Sequence, residues 1–335
     1  MDEALRVVQF GLGPIGCEIA RLVLQKKSLR LVGGIDIDPE KRGKDIGRLL
    51  ELERNVGVVV EEDASRVLSR ADAEVVLHST SSSLTSVKDQ IMSCIEAGAN
   101  VISTTEELAY PFSRSPELAK LIDDKARVQG VSVLGTGVNP GFVMDTLPIF
   151  LSTVCHRVES VEVTRILNAS TRRLPLQEKI GAGMTVEQFK RDVQEGRLGH
   201  VGLLESVAML SSGLGIGIDR SEQVVEPVVA ERDLKTQYLT VKKGEVAGIR
   251  NIGRGIKGRD TIVLLHLEMY VGAKNSVDKV SIKGSPNMNF IVEGGTPGDP
   301  ATAAMVVNSI PRVIESRPGL LSMMDIRLPS ILIDR

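Results

Sequence analysis

Apolar and polar positions follow two different patterns along the chain of 335 residues, and the pattern changes near Pro140. Before Pro140, short apolar runs such as Leu5–Phe10 and Leu29–Ile35 are separated by stretches with helical spacing, such as Ile15–Lys26. Strands that alternate with helices over such distances are typical of a parallel sheet with helices on both faces. The first half of the sequence therefore predicts an α/β domain of the Rossmann type. Further strands are predicted at Asn55–Val60, Glu74–His78, Asn100–Ser103 and Val131–Leu134, and further helices near Ala64–Ser69, Val87–Ala97 and Ser115–Gln129.

After Pro140, Val158–Leu167 and Thr261–Val271 alternate between apolar and polar residues. A strand with one buried and one wet face shows this period of two, which favours a mixed or antiparallel sheet. Thr185–Ser212 has the spacing of one or two helices, and Asp299–Glu315 that of a final helix. We therefore expect a second, α+β domain. Its other strands are predicted at Val224–Leu234, Gln237–Val241, Val277–Lys283 and Asn289–Glu293.

The composition excludes several classes of function. The formal charge is −2, so no basic field attracts nucleic acid, and six Phe, three Tyr and no Trp are too few for stacking platforms. No apolar run reaches the ~18 residues of a membrane helix, and the first residues do not resemble a signal peptide. Cys17, Cys94 and Cys155 have neither metal-site nor disulfide spacing. The sequence therefore predicts a cytoplasmic protein without a metal site.

A glycine-rich loop follows the first predicted strand directly. Gly11, Gly13 and Gly16 form the pattern G-x-G-x-x-G, and a predicted helix begins within it. The first Gly permits a tight turn, the second lets the backbone approach a pyrophosphate, and the third allows close packing of helix on strand. Pro14 and Ile15 begin the helix, whose N-terminal N–H groups would face the anion. We therefore expect a dinucleotide at this loop.

Asp36 ends the second predicted strand, about 20 residues after the loop, where a carboxylate binds the adenosine ribose. A 2′-phosphate would meet a like charge there, which favours NAD. Lys41 and Arg42 follow closely, however, and a basic pair would offset part of that repulsion. The use of NADP therefore stays open, as does the simpler interpretation that Asp36 only caps the next segment.

Two more loops are expected at the carboxyl edge of the sheet. Ser79–Ser83 follows one strand, and the hydroxyl groups of Ser79 and Thr80 would line the ribose and nicotinamide region. The alternative is a serine-rich turn that caps the helix starting near Thr85. Both interpretations fit the pattern equally well.

The loop Ser103–Leu108 follows the neighbouring strand and carries Thr104, Glu106 and Glu107. A carboxylate near the nicotinamide would hold a substrate ammonium group and move the protons of an amine-to-imine conversion. The alternative is that both acids lie in the first turn of a helix capped by a Thr, where the helix dipole stabilises them. The spacing alone slightly favours this alternative.

Two polar side chains are candidates for binding the ligands. Asn139 lies in the Gly-rich turn Gly135–Gly141, where it would bond the nicotinamide carboxamide or simply form the turn. Arg172 follows a strand of the second domain and would pair with a substrate carboxylate. A solvated basic loop or a dimer contact explains Arg172 at least as well.

Beyond these local patterns, the chain resembles the family of 2,4-diaminopentanoate dehydrogenases and native amine dehydrogenases, within the dihydrodipicolinate reductase-like superfamily. The resemblance extends over most of the chain. It implies NAD(P)-dependent oxidative deamination of a short amine, such as the C4 amine of 2,4-diaminopentanoate, to a ketone and ammonia. The stretches that carry it are Gly11–Gly16, STTEEL at 103–108, GTGVNPGFVMDTLP at 135–148 and GDPATAAMVVNSIPRVI at 298–314.

The resemblance also implies domain limits and residue roles. It places a nucleotide-binding domain at 1–140, completed by 299–335, and a domain for substrate binding and dimer formation at 141–298. The family's active-site glutamate falls on the Glu106–Glu107 pair, with Glu106 preferred because it is nearer the strand end. Pro140, Thr302 and Met305 would line the pocket, and the protein would form a homodimer.

Two alternatives remain at this point. The first is reduction of a cyclic imine by a dihydrodipicolinate reductase-like enzyme, although those reductases carry a His-His pair and here His156, His200 and His266 stand apart. The second is a non-catalytic NAD-binding sensor. The second domain and the acidic loop argue against the sensor.

Overall fold

The computed structural model describes residues 4–333, which form two compact units. One unit is Met1–Phe142 with Pro297–Arg335, and the other is Val143–Thr296. Assigning these units to nucleotide binding and to substrate binding with dimer formation stays a prediction. The strands are β1 (Leu5–Phe10), β2 (Leu29–Ile35), β3 (Val60–Glu61), β4 (Val75–His78), β5 (Asn100–Ser103), β6 (Ser132–Gly135), β7 (Arg157–Asn168), β8 (Arg220–Val229), β9 (Leu234–Lys235), β10 (Thr240–Val241), β11 (Val246–Lys257), β12 (Asp260–Tyr270), β13 (Val277–Ser285), β14 (Met288–Glu293) and β15 (Gly319–Leu321).

Helices separate most of these strands. They are α1 (Pro14–Leu24), α2 (Ile46–Leu49), α3 (Ala64–Ala71), α4 (Leu84–Glu96), α5 (Pro116–Gln129), α6 (Thr146–Leu151), α7 (Leu174–Lys179), α8 (Val186–Gln194), α9 (Leu203–Gly213) and α10 (Gly298–Ile314), with 3₁₀ turns at Glu106–Leu108 and Ser152–Val154.

The first unit contains a seven-stranded parallel sheet in the order β15-β6-β5-β4-β1-β2-β3. Val8, Val76, Val101 and Val133 lie on one face, where they form a core with residues of α3, α4 and α5. Helices α1 and α10 pack against each other on this unit, and α10 also contacts β5 and β6. The predicted α/β Rossmann fold is confirmed.

One predicted strand of this unit is wrong over most of its length. Asn55–Val60 was expected to be extended, but β3 contains only Val60 and Glu61. The carboxylate of Asp45 accepts hydrogen bonds from the backbone nitrogens of Val56 and Gly57, at 2.9 and 2.8 Å. Because these N–H groups donate to Asp45 and not to a neighbouring strand, the segment is a loop.

The second unit contains a six-stranded sheet in the order β14-β13-β7-β12-β11-β8. The pair β7–β12 is parallel and the other pairs are antiparallel, which confirms the predicted mixed sheet. Helix α9 packs on β11, β12 and β8, and α8 packs on β8. One face of the sheet therefore carries helices, and alternate residues such as Ile252 and Leu264 point to the other face.

Strand β11 is the longest element that the sequence did not predict. It contains Gly248, Gly253 and Gly255, and its buried and exposed residues do not alternate cleanly. The glycines are explained by packing on α9. A Cβ at Gly253 would lie 3.0 Å from Cγ of Leu203, and one at Gly255 would lie 3.1 Å from Cγ1 of Val207. Small residues thus allow the helix to approach the sheet closely.

A buried ion pair joins β7 to β13. Arg165 donates from one guanidinium nitrogen to both carboxylate oxygens of Asp278, at 2.7 and 2.8 Å, and both side chains are 1 % exposed. The other nitrogen donates to the carbonyl of Thr296, whose own N–H donates to Asp278. The pair therefore stabilises the register of β7 against β13. It also binds the N–H and the carbonyl of Thr296, the last residue of the unit.

We predict that Arg165→Met lowers the free energy of unfolding by about 3–5 kcal/mol, because it leaves the Asp278 carboxylate buried without its cation. The matched control is Arg157→Met on the same strand, whose partner Glu159 is half-exposed and whose own side chain is 70 % exposed. The control is expected to change stability by less than about 1 kcal/mol. Urea unfolding measures both, and equal effects would contradict the prediction.

Candidate active site

The loops singled out in the sequence meet at one edge of the first unit's sheet. Strands β6, β5, β4, β1 and β2 are neighbours in that order and run parallel, so their carboxyl ends lie side by side. The loops that follow them are 135–141, 103–108, 79–83, 11–16 and the segment at Asp36. In open parallel sheets, this edge is where ligands bind.

The glycine loop has the geometry of a phosphate-binding turn. Gly11 has φ of +88°, and a Cβ there would lie 2.4 Å from the carbonyl oxygen of Ser79. A Cβ at Gly16 would lie 2.0 Å from the carbonyl oxygen of Gly11. At Gly13, by contrast, a Cβ would meet nothing within 4 Å. Two of the glycines are thus required for packing, and the third leaves open space.

That open space lies at the start of α1. Gly13 is the N-cap residue, and its position provides no side-chain cap for the helix, which begins with Pro14. The N–H groups of the first turn, including that of Ile15, therefore lie at the positive end of the helix dipole. The loop fits a dinucleotide pyrophosphate, with room for it beside Gly13.

Gln9 and Ser79 hold this loop from below. Nε2 of Gln9 donates to the carbonyl of Gly11 at 2.9 Å and to Oγ of Ser79 at 3.0 Å, and Ser79 Oγ donates to the same carbonyl at 3.0 Å. Gln9 is fully buried in β1. The sequence interpretation missed this residue, although a polar side chain inside an apolar strand was the available signal. The predicted ribose-binding hydroxyl of Ser79 is engaged in supporting the loop.

Asp36 is bonded on both carboxylate oxygens. Oδ2 accepts from the backbone of Leu12 at 2.7 Å, and Oδ1 accepts from the backbone of Asp38 at 2.9 Å. Nζ of Lys41 lies 3.1 Å from Asp36 and 3.3 Å from Asp38. Burial lowers the pKa of Lys41, but the hydrogen bond and charge of Asp36 outweigh it and raise that pKa above its ordinary value. Lys41 therefore remains a cation beside the Asp36 carboxylate.

Glu107 caps helix α4 from the neighbouring loop. Its Oε2 accepts from the backbone nitrogen of Leu84 at 2.7 Å, and its own N–H donates to the carbonyl of Ser82 at 3.3 Å. The N-cap residue Ser83 makes no side-chain cap bond. The serine loop therefore supplies the N-cap residue of α4, as the alternative interpretation expected, but the side-chain bond to the N–H of Leu84 comes from a glutamate of the next loop.

Glu106 is the half-buried first residue of the 3₁₀ turn Glu106–Leu108. The alternative interpretation expected a Thr to cap this turn, but Thr105 forms no side-chain cap and donates instead to the carbonyl of Ser81 at 2.8 Å. Backbone bonds add to the link between the loops, since Thr104 N–H donates to the carbonyl of His78 at 2.9 Å. The two loops are thus joined along their length.

His78 lies under both loops. Its side chain is fully buried, with Nδ1 2.8 Å from Oγ of Ser103 and Nε2 2.8 Å from Oε1 of Gln90. Oγ1 of the exposed Thr80 lies 3.0 Å from Nε2. Burial lowers the pKa of His78 to about 4, so the imidazole is neutral at ordinary pH. The sequence interpretation placed His78 in the strand and gave it no function.

Helix α10 contacts the loop 135–141. The backbone nitrogen of Val138 donates to Oγ1 of Thr302 at 3.3 Å, and a Cβ at Gly137 would touch the same side chain. Asn139 and Met305 are both half-buried, and Pro140 is buried. The structure therefore brings Thr302 to the loop that contains Asn139 and Pro140.

Arg172 belongs to the second unit, between β7 and α7. Its backbone N–H donates to the carbonyl of Ala169, and its carbonyl accepts from Gln177 at 2.7 Å. The side chain is half-exposed. Its predicted contact with a substrate carboxylate stays a prediction.

Two kinds of feature are absent from residues 4–333. None of the helices there is long and apolar enough to cross a membrane. The same residues contain no group of three or more His, Cys, Asp or Glu side chains arranged to hold a metal ion.

Two family models match the chain. The model of the 2,4-diaminopentanoate dehydrogenase C-terminal domain matches residues 142–335. The model of the dihydrodipicolinate reductase N-terminus matches residues 5–121. Together they cover both units.

Named relatives agree with these matches. A 2,4-diaminopentanoate dehydrogenase of Acetoanaerobium sticklandii is 38% identical, over 98% of this chain and 94% of the relative. An amine dehydrogenase of Streptomyces virginiae is 25% identical, over 97% of this chain and 96% of the relative. These two proteins match the chain along nearly its whole length.

Solved structures match as well. An amine dehydrogenase from Mycobacterium smegmatis has a TM-score of 0.85 and 26% identity, over 99% of this chain and 98% of the other. A dihydrodipicolinate reductase from Paenisporosarcina sp. TG-14, with dipicolinate bound, has a TM-score of 0.52 and 14% identity, over 95% of this chain and 97% of the other. The second likeness shows the fold alone.

The Rossmann unit, its glycine loop and the comparisons define a nicotinamide-dependent oxidoreductase of the amine dehydrogenase class. More specifically, the chain belongs to the 2,4-diaminopentanoate dehydrogenase family. The resemblance noted in the sequence is confirmed.

We predict that Gly13→Ala and Gly16→Ala fail in different ways. Gly13 has φ of −67° and open space at its Cβ, so Ala should leave folding unchanged while its methyl group weakens NADH binding by about tenfold, or ~1.4 kcal/mol. Ala at Gly16 would collide with the carbonyl of Gly11 and should cost about 1–3 kcal/mol of stability. Fluorescence titration with NADH and thermal unfolding distinguish the two effects. Unchanged NADH affinity in Gly13→Ala would show that no phosphate approaches this residue.

Proposed function

We propose that this enzyme oxidises the C4 amine of 2,4-diaminopentanoate, or a similar short amine, to the ketone and ammonia, and that it uses NAD. The relative of that name, 38% identical over almost the full length, supports the choice of substrate. The observation that carries the mechanism is the separation of two adjacent acids: Glu107 caps α4, and Glu106 begins the turn beside it.

We assign the chemistry to Glu106 on three grounds. It lies three residues beyond β5, at the carboxyl edge where the sheet would present a nicotinamide. Glu107 already accepts the N–H of Leu84, and removing it from α4 would leave that helix end without its cap. Adjacent residues of a 3₁₀ turn point about 120° apart, since the turn has three residues per turn. The carboxylate of Glu106 is thus directed away from that of Glu107.

In this mechanism, Glu106 holds the substrate ammonium group, accepts a proton from it and releases that proton to solvent, which leaves a neutral amine beside an ionised carboxylate. NAD, when bound, accepts the hydride from the carbon that carries the amine. The substrate is then an iminium cation, which the Glu106 carboxylate stabilises by its charge. Glu106 next takes a proton from the attacking water and passes it to the nitrogen of the resulting carbinolamine. It then accepts the hydroxyl proton as ammonia leaves and the ketone forms. The reverse sequence is a reductive amination.

The remaining predicted residues position the two ligands in this proposal. Gly11, Gly13 and the start of α1 bind the pyrophosphate, while Thr80, Thr104 and Asn139 contact the ribose and nicotinamide. Pro140, Thr302 and Met305 line the substrate pocket. Arg172 would pair with the α-carboxylate of a diamino acid, because a guanidinium binds a carboxylate through two parallel hydrogen bonds.

Asp36 and Lys41 set the choice of cofactor in this proposal. The Asp36 carboxylate accepts the ribose hydroxyls of NAD, but it repels a 2′-phosphate. Lys41, 3.1 Å from that carboxylate, supplies a cation at the same place. We therefore expect NAD as the better cofactor and NADP as a usable one.

The homodimer stays part of the proposal. The sheet of the second unit carries α8 and α9 on one face. Its other face presents aliphatic side chains such as Val224 and Leu264 beside the ion pair of Arg250 with Glu268. An aliphatic face interrupted by ion pairs is suited to pairing with a second copy of this chain.

Glu106→Gln should lower kcat for amine oxidation by about 10²-fold or more, because the amide cannot accept the proton. NADH binding should stay within about threefold of the wild type, since the pyrophosphate and ribose contacts are unchanged. Steady-state kinetics with 2,4-diaminopentanoate and a fluorescence titration measure the two quantities.

Glu107→Gln is the matched control, because it removes the same charge one residue later. It should retain most of kcat and lose no more than about 1 kcal/mol of stability, because the Gln amide oxygen can still accept the N–H of Leu84 and only the charge at the start of α4 is removed. An active Glu106→Gln together with an inactive Glu107→Gln would move the catalytic role by one residue. Wild-type enzyme that reduces dihydrodipicolinate but oxidises no amine in a panel would refute the proposed reaction.

Lys41→Ala should lower kcat/KM with NADP about tenfold while changing it less than about threefold with NAD, because Asp36 then repels the 2′-phosphate without compensation. Arg42→Ala is the control, since Arg42 pairs with Glu62 instead of with Asp36. Parallel kinetics with both cofactors give the ratio. An equal loss with NAD and NADP would exclude Lys41 as a selectivity residue.

A further inference from the structure

We infer that His78 is a positioning residue, whose imidazole joins the ends of β4 and β5 and thereby fixes the loop that carries Glu106. This inference rests on the function proposed above. It adds a residue that touches neither cofactor nor substrate but determines where the acid loop lies.

The contacts of His78 reach four parts of the first unit. Nδ1 bonds Ser103 at the end of β5, and Nε2 bonds Gln90 on α4, both at 2.8 Å. Thr80, in the loop after β4, lies 3.0 Å from Nε2. The ring also meets that of Phe10 edge-on, with centroids 5.3 Å apart. One side chain thus connects the strands and the helix that border both loops.

Ser103 carries this connection into the acid loop. Its Oγ, bonded to His78, accepts the backbone N–H of Thr105 at 3.1 Å. Oγ1 of Thr105 donates to the carbonyl of Ser81 at 2.8 Å, so the link returns to the loop after β4. Glu106 follows Thr105 directly in the chain. The imidazole is therefore linked through Ser103 and Thr105 to the backbone of Glu106, the proposed catalytic acid.

The burial of these groups explains why a histidine is useful here. His78 and Ser103 are both fully buried, and a buried polar group without a partner is destabilising. A neutral imidazole has one donor and one acceptor, and here each nitrogen has a partner. Because the pKa of His78 is about 4, the ring stays neutral, and the network adds no charge near the Glu106 carboxylate.

The consequence for catalysis is geometric. A misplacement of about 1 Å in a reacting group costs on the order of 10²-fold in rate. A side chain that ties both loops together is therefore expected to affect kcat more than NADH binding, because Gln9 of β1 also holds the pyrophosphate loop directly.

The test compares His78→Leu, His78→Asn and the control Val76→Ala. Val76 lies two residues earlier on β4, is fully buried on the same face and belongs to the apolar core. His78→Leu should lower kcat about tenfold or more with NADH affinity within about threefold. His78→Asn retains a polar group near the position of Nδ1 and should recover most of kcat. Val76→Ala should lower the Tm and leave kcat unchanged.

Amide hydrogen exchange tests the same idea without relying on activity. Peptides that cover 79–83 and 103–108 should lose protection in His78→Leu and keep it in Val76→Ala. If wild-type protein oxidises no amine, the proposed function fails, and the exchange result alone decides whether His78 fixes the loops. Equal kcat and equal exchange in His78→Leu and Val76→Ala would overturn the inference.

Ser103→Ala is the second variant, in case His78→Leu does not fold. It removes only the hydroxyl that joins His78 to Thr105. The inference expects the same pattern, a lower kcat with retained NADH affinity and faster exchange at 103–108. Wild-type kcat and exchange in Ser103→Ala would overturn it.

Discussion

The parallel pairing of β1, β4 and β5 is the constraint on which the candidate site depends. Parallel neighbours end at the same edge of a sheet, so the three loops that follow them must lie side by side. None of these loops is a regular element over its whole length. Their positions therefore come from the strand ends and from the side-chain bonds made there.

Buried polar side chains do much of this positioning. Gln9 supports the glycine loop, His78 joins two strand ends, and Glu107 reaches across to cap α4. Each of these groups would be unfavourable in an apolar core without its partners. All three side chains bond backbone or hydroxyl groups near the ends of the strands. These bonds explain why polar residues lie at this edge of the sheet. The second unit shows the same principle, where Arg165 and Asp278 fix the backbone of Thr296.

How much of this could be predicted from the sequence depends on the kind of signal. The bounds of β1, β2 and β5 were predicted correctly, because each is a short apolar run bounded by residues that favour turns. Strand β11 was missed because its glycines remove the alternation, and the reason for them lies in α9, which is distant in the chain. β15 was missed because three residues are too few to show a period. His78 and Gln9 looked like strand residues, since their partners are 25 and 70 residues away.

The acid loop shows most clearly what the sequence leaves open. Two adjacent glutamates after a strand fit either a capped helix start or a catalytic site, and local spacing slightly favoured the helix. The structure shows a helix cap of a different kind, since Glu107 caps α4 from the neighbouring loop instead of capping its own turn. Neighbouring residues of a 3₁₀ turn lie about 120° apart around its axis, so the bond of Glu107 to α4 does not require the same direction for the side chain of Glu106. The carboxylate of Glu107 therefore holds the acid loop against α4, and this bond gives the neighbouring Glu106 a defined position in the loop after β5.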